Sequence, residues 1–446
     1  MGLILRDVEV AGAIVDVRVS RGIVDRIGPG LSPPRDDVLV DGKRGALIPG
    51  LHDHHLHVLA LAAGRRSVAV GPAEMPSTAA FETALRGAAT AGAVRAIGYH
   101  EDVGGPLDRD ALDAIVSDVP VRVQHRTGGL WILNSRALAA IDPERLADAR
   151  VERDEHDRPT GRVWRGDDLV RTSCELPAVG ELGATLARAG VTAVTDATAT
   201  NNAMTVARLG ELPQRLRVMG PLDLEFVETS RLALGEVKVV LDDDALPELD
   251  QTVALVRESH ARRRGVAMHC VTLVQLRFAI EVFRVAGVAG DRIEHASVAP
   301  PDAIADLHAL GLTVATQPSF VATRGDEYLR DVDARDIPAL YPVASLLAAG
   351  VRTLGSSDAP FGPVDPWQAM RSAVDRRTAS GAVVVSSERI SGWRALDLFG
   401  GTAPIRAGAY ADLVLLGVPL ASAIDRLQSS DVVLTAIGGD VVYDGR

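Results

Sequence analysis

Cysteine is scarce in this sequence. Only Cys174 and Cys270 occur among 446 residues, which is too few for a disulfide framework. The two residues are also not spaced as a metal-binding pair. We therefore interpret both as buried thiols, a common environment for free cysteine.

Aromatic residues and basic runs are scarce as well. Phe, Trp and Tyr make up 4% of the chain, which gives no evidence of a surface for stacking sugars or bases. The net charge is −12 at pH 7 and no Lys- or Arg-rich run occurs, whereas non-specific nucleic-acid binding depends on basic patches. These absences argue against a nucleic-acid partner.

Long apolar segments are missing too. No run of 18 apolar residues occurs, so the sequence predicts no membrane-spanning helix. The first apolar stretch contains Arg6, Asp7 and Glu9 and differs from the core of a signal peptide. We expect a cytoplasmic protein that does not bind membranes. Its hydrophobic content of 47% is enough for an extensive core.

Short β-type runs separated by Gly and Pro turns occur at both ends of the chain. The N-terminal runs are 3–5, 14–19, 23–27 and 38–40, and the C-terminal runs are 412–416, 432–437 and 441–443. We predict that residues 1–48 and 405–446 together form one small β-sandwich domain.

The central region alternates short apolar strands with helical segments, which is typical of βα units and a parallel sheet. After a first strand at 51–57, further strands are predicted at 191–196, 216–220, 237–241, 266–271, 292–296, 312–317 and 351–356. The helices between them are predicted at 182–189, 249–263, 273–286, 303–310 and 341–349. Eight such strands indicate a (β/α)8 barrel, which we assign to residues 49–404.

The segment from about 64 to 175 is too long for one helix and its loops. We interpret it as a subdomain inserted after the first barrel strand. It contains a predicted strand at 119–125 and a predicted helix at 134–140.

Polar residues stand near the carboxyl ends of the predicted barrel strands. They are His55, His57, Lys238, His269, Glu294, His295 and Asp358. Side chains from several strands converge at this end of a parallel barrel. Imidazole and carboxylate groups suit Zn²⁺ and similar divalent ions. The sequence therefore predicts a metal site at the barrel mouth.

Each of these residues has an ordinary structural alternative. His269 alone fits a hydrogen-bonded core histidine, and Asp358, followed by Ala359 and Pro360, fits a loop. Lys238 lies between two valines, where an ammonium needs a partner, a shifted pKa or a chemical modification. The joint occurrence of these residues at strand ends favours the metal site.

Several segments together resemble the amidohydrolase superfamily, and within it the amidohydrolase-3 branch that contains YtcJ-like proteins and N-substituted formamide deformylase. The matching segments are 49–57 (Pro-Gly-Leu-His-Asp-His-His-Leu-His), 134–138, 292–296, 316–319, 355–360 with 365–366, and 408–415. The resemblance covers nearly the whole chain, and the combination of segments is far more specific than any one of them.

This resemblance implies a metal-dependent hydrolase on a distorted TIM barrel. It implies that His55 and His57 bind the more buried metal ion and that His269 and His295 bind a second. Asp358 would bind the first ion and act as general base and acid. The implied cofactor is one or two divalent ions per chain, with Zn²⁺ as the first expectation. The implied substrates are small molecules with carbon–nitrogen bonds other than peptide bonds, such as amides, N-substituted formamides or cyclic amides.

Lys238 falls where family members can carry a carbamylated lysine that bridges two metal ions. The alternative is a mononuclear site with an unmodified Lys238, in a deaminase or in an esterase or lactonase. A non-catalytic scaffold with the same fold is less favoured, because every ligand position is filled. A homodimer is compatible with the resemblance, although no sequence pattern marks an interface.

The chain departs from the family pattern in two places. Gly129 stands where relatives often have a histidine, and the segment after Lys238 lacks the longer Asp-Gly loop of relatives. The first departure indicates a different substrate, or a substitute for the histidine in His125 or His100. The predicted substrate contacts, in segments expected to border the barrel mouth, are His100, Glu101, Arg126, Trp131 and Gln317.

Overall fold

Eight parallel strands form the central sheet of the protein. The structure, a computed structural model, describes residues 2–32, 37–170 and 176–446. The strands are Leu51–Leu56, Val191–Asp196, Arg215–Gly220, Leu232–Val240, Val266–Cys270, Arg292–His295, Thr313–Thr316 and Arg352–Gly355, each paired with the next. Cys270 at the end of the fifth strand is buried as predicted, whereas Cys174 lies outside the described residues.

Backbone hydrogen bonds join the two ends of this sheet. The N–H of Asp358, just after the last strand, donates to the carbonyl of His55 at 2.8 Å. The N–H of His57, just after the first strand, donates to the carbonyl of Ala359, also at 2.8 Å. The sheet is therefore a nearly closed, TIM-like barrel, in agreement with the predicted class.

The fourth barrel strand is longer than predicted. It begins at Leu232, five residues before the predicted start at 237, and Gly235 lies inside it. A Cβ at Gly235 would approach the carbonyl oxygen of Val218 on the neighbouring strand to 2.9 Å. Glycine permits this close approach of two backbones while weakening the local strand pattern.

Helices connect and surround the barrel strands. They are Gly180–Arg188, Ala203–Leu209, Leu249–Ala261, Leu273–Ala286, Pro301–Ala309, Ser319–Asp331, Val343–Ala348, Pro366–Asp375, Gly392–Asp397 and Leu420–Arg426, with 3-10 turns at Asp243–Ala245, Ile337–Ala339, Ser386–Glu388 and Ser429–Asp431. The helix Leu273–Ala286 has its predicted bounds, and Thr272 and Gln275 fix its start by capping it reciprocally. Among the described residues, none of the helices combines the length and apolar character needed to cross a membrane.

Two four-stranded sheets are built from the regions near the chain ends. The first has the order Ile23–Gly28, Ala13–Ser20, Leu3–Val10 and Val38–Asp41, and the second has the order Asp440–Asp444, Val432–Ile437, Leu413–Leu416 and Leu47–Pro49. One hydrophobic cluster contains buried side chains from both sheets, among them Leu5, Val17, Leu415 and Leu434. The two sheets therefore share a core.

The chain divides into two compact units, one made of Met1–Val58 and Ala178–Arg446, the other of Leu59–Pro177. The second unit has a six-stranded sheet in the order Val151–Arg153, Pro159–Trp164, Leu130–Leu133, Val121–His125, Val94–Tyr99 and Val68–Ala69. Its helical segments are Thr78–Ala89, Glu101–Gly104, Arg109–Ile115, Ser135–Leu138, Arg145–Ala147 and Asp167–Val170, and Val58–Gly64 spans the boundary. Asn134, which begins the predicted helix at 134–140, caps a shorter one by accepting the N–H of Ala137.

Candidate metal centre

Three predicted ligands meet where the first and last barrel strands end. The Nε2 atoms of His55 and His57 lie 3.4 and 3.3 Å from Oδ1 of Asp358. One ligand atom from each of the three residues lies within 4.8 Å of the others. Because His55 and Asp358 are also joined through the backbone, the barrel closure itself brings these side chains together.

Asp358 has an unusual backbone conformation, with φ at 53°. Aspartate tolerates this left-handed region better than most residues. The preceding N–H, that of Ser357, donates to Oδ1 of Asp53 at 3.1 Å, which holds the turn against the first strand. Burial opposes ionisation of Asp358, but contact with His57 and the nearby His55 hold the pKa of its carboxyl well below the usual range. Asp358 is therefore a carboxylate at neutral pH.

The other ring nitrogen of His55 is held by a buried ion pair. Nδ1 of His55 makes a short contact with Oε2 of Glu294. Arg292 donates to both oxygens of Glu294, at 2.8 and 3.2 Å, and to the carbonyl of His54 at 3.0 Å. A carboxylate on Nδ1 fixes the imidazole so that Nε2 faces the ligand site. Glu294 is thus a positioning group for His55.

The sequence predicted Glu294 at the barrel mouth without a role, and no role was predicted for Arg292. Their contact could have been inferred, because residues two apart on a strand share a face. Burial opposes ionisation of Glu294, but Arg292 and Lys238 lower the pKa of its carboxyl. The charge that orients His55 is therefore retained in the interior.

A second pair of predicted ligands lies beside the first group. Nε2 of His295 is 2.9 Å from Nδ1 of His269, and the rings of His55 and His295 have centroids 4.9 Å apart. The side-chain carbonyl of Gln317 contacts Nδ1 of His295 at 2.7 Å, and its amide donates to Oγ of Ser356 at 2.9 Å. The structure thus places Gln317, a predicted substrate contact, against a predicted ligand.

Lys238 is buried on the fourth barrel strand. Its Nζ has no hydrogen-bond partner in the part of the chain that the structure describes. Burial lowers the pKa of this amine, while the charges of Glu294 and Asp358 oppose that shift. A buried amine without a hydrogen bond is costly, so the site contains a polar atom that an additional group would satisfy.

The residues present fit a divalent metal ion. Oδ1 of Asp358, like Nζ of Lys238, is buried without a hydrogen-bond partner among the described residues. This oxygen faces the Nε2 atoms of His55 and His57, at 3.4 and 3.3 Å. Imidazole and carboxylate together are the donor set that Zn²⁺ and related ions prefer.

The remaining histidines of the first strand are arranged differently. Nε2 of His52 contacts Oγ1 of Thr195 at 2.9 Å, and the rings of His52 and His54 have centroids 3.9 Å apart. Burial, with a contribution from Arg292, lowers the pKa of His52 to about 3. The four histidines of this segment therefore divide into two pairs, of which only His55 and His57 join the ligand group.

The other predicted substrate contacts belong to the second unit. Trp131 is buried and its indole N–H donates to Oδ1 of Asp167 at 2.8 Å. The backbone N–H of Arg126 donates to the carbonyl of Tyr99 at 2.8 Å. Substrate binding by these residues stays a prediction. His100 and Glu101 meet His125 in a separate group of potential ligands.

Comparison with known proteins identifies the family of the chain. The model of a family described as "Amidohydrolase family" matches residues 38–443. The putative amidohydrolase YtcJ of Bacillus subtilis (strain 168) is 27% identical over 214 residues, which are 44% of this chain and 40% of the relative. N-substituted formamide deformylase of Arthrobacter pascens is 28% identical over 166 residues, 34% of this chain and 31% of the relative. The matched parts therefore span less than half of either relative.

Solved structures show the same fold. An uncharacterised metal-dependent hydrolase from Pyrococcus horikoshii OT3 superposes with a TM-score of 0.70 at 19% identity, over 94% of this chain and 97% of that one. At this identity the similarity establishes the architecture, and the chemistry has to be argued from the residues of this chain.

Proposed function

The chain belongs to the amidohydrolase family, and we propose that it is a metal-dependent hydrolase of carbon–nitrogen bonds other than peptide bonds. The observation that carries the proposal is the convergence of His55 and His57 on Oδ1 of Asp358, within 4.8 Å. Amides, N-substituted formamides and cyclic amides are the proposed substrate class. The partial match to a formamide deformylase supports this choice.

The proposed metal ligands come from the barrel strand ends. His55, His57 and Asp358 would hold one divalent ion such as Zn²⁺, and His269 and His295 would hold a second. When bound, such an ion polarises a carbonyl group and lowers the pKa of a coordinated water to about 7.

Asp358 is the proposed general base and acid. Its low pKa keeps this side chain ionised at neutral pH, so that the carboxylate oxygen not used for the ion can accept a proton from the attacking water. The same oxygen then returns the proton to the leaving nitrogen. Glu294 holds the ring of His55, so that its Nε2 keeps the direction toward Asp358 throughout.

Lys238 distinguishes the binuclear site from the mononuclear alternative. Carbamylation would replace its unsatisfied buried amine with two oxygen ligands and favours two ions. In the mononuclear alternative the amine stays unmodified, and the charges of Glu294 and Asp358, which favour its protonated form, support this second candidate. A deaminase or an esterase would then use the same first ion.

We also propose the finer domain organisation predicted from the sequence. The two terminal sheets share a hydrophobic cluster, which supports one composite β-sandwich domain of residues 1–48 and 405–446. The separate compact unit Leu59–Pro177 supports an inserted subdomain after the first barrel strand.

Metal analysis of purified protein tests the function, together with a screen of amides and formamides. His57→Asn should lower bound metal and abolish hydrolysis, whereas His308→Asn, at an exposed helix position of the same unit, should change neither. Two ions with a carbamate on Lys238 by intact mass would support the binuclear form, and one ion without it the mononuclear form. Undiminished metal content and hydrolysis in His57→Asn would contradict the assignment.

A further inference from the structure

A second group of potential ligands lies in the second unit, at the carboxyl ends of two adjacent parallel strands. Tyr99 at the end of Val94–Tyr99 pairs with His125 at the end of Val121–His125. His100 follows the first of these strands directly and begins the short helix that contains Glu101. Neighbouring strands that run in parallel bring their carboxyl ends to one edge of the sheet, where side chains from both can converge.

The three side chains approach one another closely. Nε2 of His125 lies 3.1 Å from Oε2 of Glu101, and the rings of His100 and His125 have centroids 5.7 Å apart. One ligand atom from each of the three lies within 4.8 Å of the others. We propose that His100, Glu101 and His125 bind a divalent ion of the Zn²⁺ class, in a site independent of the barrel ligands.

The donor set argues for such an ion. Two imidazoles and one carboxylate are a combination that Zn²⁺ uses with a water in its fourth position. Hard ions such as Mg²⁺ prefer oxygen ligands and are less suited to two imidazoles. The side chains of His125, His100 and Glu101 are 13%, 22% and 40% exposed, so an ion and its water can reach them from solvent.

The outer contacts of the two histidines suit coordination through Nε2. Nδ1 of His125 lies 2.8 Å from Oγ1 of Thr127, and Nδ1 of His100 lies 3.3 Å from Oδ2 of Asp102. A neutral imidazole has one N–H, and donation of that proton from Nδ1 leaves the lone pair on Nε2 for a metal. Ligating histidines usually have an oxygen acceptor of this kind on the other nitrogen.

The same residues can also adopt a metal-free arrangement, and an experiment has to distinguish it from the metal-bound one. The backbone N–H of Asp102 can donate to Nδ1 of His100 at 3.2 Å, and His125 can donate from Nε2 to Glu101. In that tautomer His125 is hydrogen-bonded to Glu101, His100 accepts from the backbone, and the three side chains bind no ion. Zn²⁺ would select the other tautomer of both rings.

Equilibrium dialysis of the full chain against Zn²⁺, followed by elemental analysis, tests the proposal. His125→Asn should bind one ion fewer per chain than the unsubstituted protein. The matched control is His156→Asn in the same unit, since His156 also has a neighbouring glutamate, at 3.6 Å, but is 71% exposed and stands outside the group. Equal metal content in His125→Asn and the unsubstituted protein would overturn the proposal.

Two further variants keep the test decisive if His125→Asn fails to fold. Thr127→Val removes the outer oxygen on Nδ1 and should weaken Zn²⁺ binding at this site about 10-fold. Glu101→Gln keeps the shape but removes the charge and should also weaken it. Neither variant should affect the ion bound by His55. Unchanged Zn²⁺ affinity in both variants would overturn the proposal and leave only the metal-free arrangement.

Zn²⁺-dependent thermal unfolding gives an independent readout. His55→Asn should lose the ion of the barrel site. Zn²⁺ should still raise the Tm of this variant by binding in the second unit, because that unit contains none of the barrel ligands. In the double variant His55→Asn with Glu101→Gln, Zn²⁺ should no longer raise the Tm through the second unit. Failure of the barrel hydrolase would leave this result unchanged, so the two proposals are tested separately.

Discussion

Replacing Glu294 by glutamine should weaken metal binding and destabilise the barrel at the same time. Glu294 is fully buried and Arg292 is 4% exposed, so loss of the carboxylate charge leaves a buried guanidinium without the anion that it contacts directly, although the charge of Glu236 still acts on it. Removing one partner of a buried ion pair costs about 3–5 kcal/mol. The structure therefore predicts a loss of this size in the unfolding free energy of the metal-free protein, measured by urea denaturation.

The effect on the metal comes from the contact between Glu294 and His55. Loss of an outer carboxylate from a ligating histidine costs about 10–100-fold in metal affinity, which is about 1.4–2.8 kcal/mol of binding free energy. A competition titration of Zn²⁺ against a chelator would measure it. An unchanged Zn²⁺ affinity in Glu294→Gln would refute the conclusion that this carboxylate positions His55.

Glu236→Gln is the matched control. Arg217 also donates twice to its carboxylate, at 3.0 Å for the closest contacts, but Arg217 is 43% exposed and water can replace the partner. The charge of Arg292 also acts on Glu236, but the hydrogen bonds between Arg292 and Glu294 are kept in this variant, so the loss of stability should be smaller and Zn²⁺ affinity should stay constant. The double variant Arg292→Met with Glu294→Gln should recover much of the stability but none of the Zn²⁺ affinity, which separates folding from positioning.

Three further predictions follow from single groups. Lys238→Met should leave the urea midpoint of the metal-free protein unchanged or raise it, because it removes an unsatisfied buried amine, and elemental analysis should show loss of one ion if the lysine is carbamylated. The pKa of His52 is lowered by burial to about 3, so the unfolded state takes up the proton first as pH falls. Stability should drop below about pH 6.5 and continue to drop to about pH 3, at ~1.4 kcal/mol per pH unit from this group, and His52→Gln should show a shallower decline in urea unfolding. Gly355→Ala should cost about 1–3 kcal/mol, measured by the same assay, because its Cβ would overlap the ring of Phe399, whereas Gly180→Ala, which meets nothing within 4 Å, should not.

Much of the barrel could be predicted because its signals are local. Each strand is a short apolar run between turns, and the helix Leu273–Ala286 has its cap residues beside it in the sequence. Most strands of the second unit were not predicted. The strand Pro159–Trp164, for example, has Gly161 and Arg162 in its interior, and it is a strand through pairing with Leu130–Leu133 on one side and Val151–Arg153 on the other.

The proximity of His55 and His57 could be predicted because both stand in one segment. The grouping of His100 with His125 depends on the pairing of two strands and could not be read from their separation in sequence. The function of Glu294 depends on a contact across 239 positions of the chain, which exists only once the barrel closes. Local sequence patterns do not show which distant strands will meet when the barrel closes.

The seam between the first and last barrel strands also determines when the site can form during protein synthesis. Ser357 and Asp53, which hydrogen-bond across this seam, are 304 positions apart. Domains generally fold as units with the N-terminal ones first, so the unit Leu59–Pro177 can be complete while the first strand still lacks its partners. A nascent chain that has not reached Asp358 has an open sheet edge, of the kind that promotes association between chains, and lacks the grouping of His55 and His57 with Asp358.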